Sequence, residues 1–69
     1  MDAIQKELES RKSEIQKELE LLFKANMKIT NWDIPETDDQ EAAELLVNIL
    51  QESLDKIKED VKNGNYKNY

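Results

Sequence analysis

Ile29-Thr-Asn-Trp-Asp-Ile-Pro-Glu-Thr-Asp-Asp39 is the stretch on which the fold turns. It holds the only proline, Pro35, and the only tryptophan, Trp32. Helix-patterned sequence lies on both sides. A proline inside a helix removes an amide donor and clashes with the preceding turn, so no regular helix runs through Pro35. Pro35 also restricts Ile34 to extended backbone. Two N-cap boxes compete for the restart beyond it, Asp33 with Glu36 and Thr37 with Gln40. The second matches the Ser/Thr-x-x-Glu/Gln pattern and is preferred, with a short turn of helix allowed from Pro35.

Upstream, Ile4-Gln-Lys-Glu-Leu-Glu9 recurs unchanged as Ile15-Gln-Lys-Glu-Leu-Glu20, eleven residues later. Eleven residues correspond to about 3.67 per turn, close to a straight helix. Ile4, Leu8, Ile15, Leu19 and Leu22 therefore share an arc of about 60°. Arg11 stands in the gap of this stripe. Its stem can cover apolar surface while its head reaches water, or it can pair with an acid on a partner helix. Asp2 with Lys6, Glu7 with Arg11 and Glu20 with Lys24 are spaced to support the helix. Leu21, Leu22 and Phe23 are consecutive and cannot all face one way. The helix therefore thickens towards the turn before Asn26 and Ile29-Thr30 weaken it.

Downstream, Leu46, Leu50, Ile57 and Val61 share a face, flanked by Ala42, Ala43, Ile49 and Leu54. This helix too is wide in apolar groups near the turn and narrow at its end. Asn63-Gly64 stops it, with Gly64 as the residue after the cap.

The expected fold is an all-α, antiparallel two-helix hairpin, about 2–28 and 37–63, turning at 29–37. Residues 1–63 form one domain, and 64–69 a polar, flexible tail from which Tyr66 can fold back on Ile4 or Leu8. A single pair of helices leaves Leu21, Leu45 and Val47 with little to pack on. Scaffolds shorter than roughly 70–80 residues without a staple are marginal, and this chain of 69 residues has no cysteine. A homodimer closing a four-helix bundle solves both problems. Ile4, Leu8, Ile15, Leu45, Val47 and Leu54 are the residues expected to make it. The rival is a hairpin completed by a different protein.

Composition narrows the function. Histidine and cysteine are both absent, so serine or thiol relays and thiolate zinc sites have no material. No glycine-rich loop accompanies the carboxylates, and the acidic turn lacks the ligand spacing of a calcium loop. Weak cation binding by Asp33, Glu36, Asp38 and Asp39 is the most the turn offers a metal. We therefore expect no enzyme activity, cofactor or metal. No apolar run approaches the roughly 20 residues of a membrane span, and Met1-Asp2 opens a charged helix rather than a signal segment. These features point to the cytoplasm and away from membranes.

Charge is distributed unevenly. Residues 1–28 carry six acids and six bases, whereas 29–55 carry eight acids and no base. Such a field repels nucleic acid and attracts a basic surface. The plain reading is a solvated helix face with capping acids. The sharper one is an acidic docking surface of Trp32, Asp33, Glu36, Asp38, Asp39, Glu41 and Glu44. Trp32 has two readings as well: a seal on the thick end against Phe23, Met27 or Leu46, or an exposed anchor for a partner.

Pro35-Glu-Thr-Asp-Asp-Gln-Glu-Ala-Ala-Glu44, between two helices, resembles the acidic coiled-coil tip of DksA/TraR-like RNA polymerase regulators. Val61-Lys-Asn-Gly-Asn-Tyr66 resembles the end of that coiled coil. The resemblance implies that Asp39 matches the family's tip acid. The zinc-binding cysteines of that family are absent, and the second helix is short. The function expected is a small acidic protein–protein interaction module, a non-enzymatic regulator or adaptor. The alternative is an acidic inhibitor or regulator of a nucleic-acid-handling protein, of the kind phages and mobile elements encode, that mimics nucleic acid or acts in transcription.

Overall fold

Arg11 interrupts what the pattern predicts as one continuous helix. In a computed structural model of the chain, which describes residues 2–68, there are three helices rather than two: α1 (Ala3–Ser10), α2 (Lys12–Asp33) and α3 (Asp39–Lys62). No strand occurs among the described residues. Met1 and Tyr69, the outermost residues of the expected domain and tail, lie outside them.

The break has a local cause. The Ser10 hydroxyl donates to the Glu7 carbonyl at 2.6 Å, the acceptor that a continuing helix would offer to the Arg11 amide. That amide bonds Leu8 O instead, at 3.1 Å, and Arg11 turns to φ −106°, ψ 5°. Side-chain back-bonding of this kind competes with the helical ladder. Asn26, Thr30 and Ser53 also bond back, to Leu22, Asn26 and Ile49. They reach four residues rather than three, and their helices continue. Asp2 caps α1 by accepting from the Gln5 amide at 2.7 Å.

α2 continues to Asp33, beyond the expected end near residue 28. The polar groups expected to weaken it are absorbed by those back-bonds. It stops at Ile34, the residue before Pro35, whose φ −130° and ψ 85° are outside the helical region, as its position requires. The connection is therefore 34–38, shorter than the expected 29–37. Thr37 is not the N-cap. Its amide donates back to Ile34 O at 3.0 Å, and its hydroxyl donates to the same carbonyl. Asp38 caps α3, its Oδ1 accepting from the amides of Gln40 at 2.9 Å and Glu41 at 3.3 Å. At the far end Asn65 N–H bonds Asp60 O and Gly64 N–H bonds Val61 O, both at 3.0 Å. With Gly64 at φ 80°, this is the Schellman closure, which needs a left-handed residue after the cap. Residues 63–68 continue as turns, with Lys67 N–H on Gly64 O at 3.1 Å.

α3 contacts α2, whereas α1 touches α2 and not α3. Phe23, Met27, Thr30, Ala42, Ala43, Leu46 and Leu50 are half-buried, so packing is densest beside the connection, where both helices are apolar over a wide arc. No described residue is fully buried. The radius of gyration is 15.9 Å, against about 11 Å for a compact domain of this length. The Cα extents are 49 × 27 × 17 Å. The molecule is a thin layer of helices.

Candidate interaction surface

Two surfaces hold the residues singled out from the sequence. The first surrounds the connection. The proline-driven stop at Ile34 and the Asp38 cap bring Glu36, Asp38 and Glu41 around a shallow groove of about 400 Å³, with Thr30, Ile34 and Leu45 as its less polar walls. Trp32, Asp33, Asp39 and Glu44 do not line this groove. Trp32 is 86% exposed. It sits in the last turn of α2 and seals nothing, because the helix outlasts its expected end and carries the indole past Phe23 and Met27.

The acids here differ in what they have left to offer. The Asp38 carboxylate is committed to two amides of α3. Glu44 accepts from Gln40 Nε2 at 3.0 Å, and Asp55 from Gln51 Nε2 at 3.1 Å. Asp39 and Glu41 lie in the first turn of α3, where the positive end of the helix dipole favours negative charge. The described ion pairs are Arg11–Glu14, Glu20–Lys24 and Lys56–Asp60. None involves an acid between residues 29 and 55. The expected pairs Asp2–Lys6 and Glu7–Arg11 do not form, since Asp2 caps α1 and Arg11 turns to Glu14. Among the described residues, Asp33, Glu36, Asp38 and Asp39 included, no group of three or more acids is gathered closely enough to hold a metal ion.

The second surface is built of exposed apolar side chains: Ile4, Leu8, Ile15, Val47 and Leu54 are all exposed, as are Leu19, Leu22 and Ile57, whereas Leu45, also exposed, borders the acidic groove on the other side of α3. A groove of about 430 Å³ runs between α2 and α3, walled by Leu19, Phe23, Val47, Leu50 and Leu54. A second, of about 490 Å³, crosses the break between α1 and α2 and is lined by Ile4, Leu8, Lys12 and Ile15. Phe23 and Leu50, both half-buried, form walls open on one side. The side chain of Ile34, which the apolar pattern leaves without a face, borders the acidic groove.

No helix among the described residues is long and apolar enough to cross a membrane. Comparison with protein-family models, with curated proteins and with solved structures finds no match to this chain. The resemblance of Pro35–Glu44 to the tip of DksA/TraR-like regulators rests on those residues alone.

Proposed function

We propose that this chain is a non-enzymatic protein–protein interaction module, a small acidic regulator or adaptor of the cytoplasm. In this reading α2 and α3 form an antiparallel hairpin, and two copies close a four-helix bundle. The observation that carries it is exposed area. The lone chain has 6422 Å² of accessible surface, whereas a compact monomer of its mass has about 4,500 Å². The excess, about 1,900 Å², exceeds the roughly 800 Å² that each partner contributes to an ordinary specific interface. Much of it is Leu, Ile and Val standing in rows. Sedimentation equilibrium tests the reading: a dimer mass at micromolar concentration is expected, and a stable, cooperatively folded monomer overturns it.

A second reading is favoured by Trp32 and its surroundings. An indole at 86% exposure, next to acids that no Lys or Arg neutralises, suits a basic partner surface. On this reading the module inhibits a protein that handles nucleic acid. Its binding to such a protein weakens steeply with added salt, and Asp39→Asn with Glu41→Gln weakens it further. Asp38 is excluded from that test because its loss would uncap α3. Salt-insensitive binding refutes the mechanism.

A further inference from the structure

We propose that α1 of one copy docks into the α2–α3 groove of a second copy, with Ile4 and Leu8 as the inserted side chains. This deepens the self-association reading and rests on it. The first support is the duplication. Ile4–Glu9 and Ile15–Glu20 are the same six residues, set on one face by the eleven-residue spacing. The second copy of the motif already has a complement: Leu19 shares a groove with Leu50 and Leu54 of α3. The first copy has no such helix beside it: α2 is the one helix that α1 contacts, and Ile4 is 73% exposed.

Chain length explains why. Counted outward from the middle of the connection at Glu36, the last residue of α3, Lys62, falls level with Ser10. The break at Arg11 thus falls where α3 ends, and α1 overhangs. A surface that fits α3 but reaches past its own α3 is complementary to the α3 of another molecule.

The groove between α2 and α3 is open, apolar-walled and about 430 Å³ in volume. A two-fold axis makes the exchange reciprocal, each α1 occupying the other's groove, and two such contacts draw on the exposed area calculated above.

The absence of cysteine makes the test clean. Leu8 stands to the motif as Leu19 does, so Leu8 is expected opposite Leu54 of the other copy. The Leu8→Cys chain is mixed with the Leu54→Cys chain under mild oxidation, alongside sedimentation of the unmodified chain. Disulfides require Cα atoms about 4.4–6.8 Å apart. The expected result is a dimer mass with the mixed Leu8–Leu54 disulfide formed at least tenfold faster than a Leu8–Ile29 control. Leu8→Glu is expected to weaken self-association at least tenfold, read by sedimentation across a concentration series. A dimer in which Leu8→Cys pairs only with itself, or in which Leu8→Glu has no effect, overturns the docking and leaves self-association standing. A monomer overturns both.

Discussion

Dilution is the most direct perturbation of this molecule. Folding of the lone chain takes its surface from about 11,700 Å² to 6422 Å², removing about 45%, where an ordinary domain of 60 residues removes about 60%. With no residue fully buried, apolar burial falls short of what offsets the conformational entropy of the ordered chain. On the proposed self-association, stability depends on the second copy and so on concentration. Each tenfold dilution costs about 1.4 kcal/mol per dimer. Going from 100 to 1 μM thus costs about 2.7 kcal/mol per dimer, near 1.4 kcal/mol per chain. For a domain of this size 1 kcal/mol moves the melting temperature by about 4–8 °C, so the hundredfold dilution is expected to lower Tm by about 5–11 °C. Circular dichroism at 222 nm, with path length scaled to concentration, reads this directly. A Tm constant within about 1 °C across the series, with cooperative unfolding, would refute the reasoning.

Three further outcomes follow from single hydrogen bonds. Ser10→Ala frees the Glu7 carbonyl for the Arg11 amide and adds helix propensity of about 0.5 kcal/mol; helicity should rise, and the Arg11 amide should gain protection from hydrogen exchange. Asp38→Ala should destabilise α3 by about 1 kcal/mol through loss of the cap. Thr37→Ala should cost less, since its hydroxyl only reinforces the turn at Ile34, and denaturant melts of both variants separate the two roles. The third outcome concerns Glu20, whose carboxylate bonds Lys24 Nζ at 2.8 Å. That hydrogen bond and the lysine's charge hold its pKa below the ordinary 4.5. Because the folded value is depressed, the pair's contribution is complete above 4.5 and fades as pH falls through the lower folded value. Carbonyl NMR titration should find Glu20 below 4.5, and Lys24→Ala should return it to the ordinary value; an unchanged midpoint would mean the pair does not form in solution.

Much of the chain was legible before any coordinates. The 3.6-residue periodicity of Ile4–Leu22 and Leu46–Val61 determined helices, because only a helix gathers those positions on one side. Pro35 determined an interruption, and Asn63-Gly64 a terminus, because both act through backbone geometry that neighbours scarcely alter. Even the denser packing beside the connection followed from where Leu21-Leu22-Phe23 and Leu45-Leu46-Val47 lie in the chain. Tertiary structure decided what depends on competition between near-equal local bonds and on which surface meets which. Ser10 took a carbonyl three residues back and broke a helix that propensity favoured. Asp38 rather than Thr37 reached the free amides, because Thr37 was already drawn into the turn. The extension of α2 to Asp33 carried Trp32 out to solvent. The motif at 4–9 and its duplicate at 15–20 are identical as sequence, yet only the second has α3 beside it. Periodicity specifies an apolar face, but whether a neighbour covers that face depends on where the other helix ends.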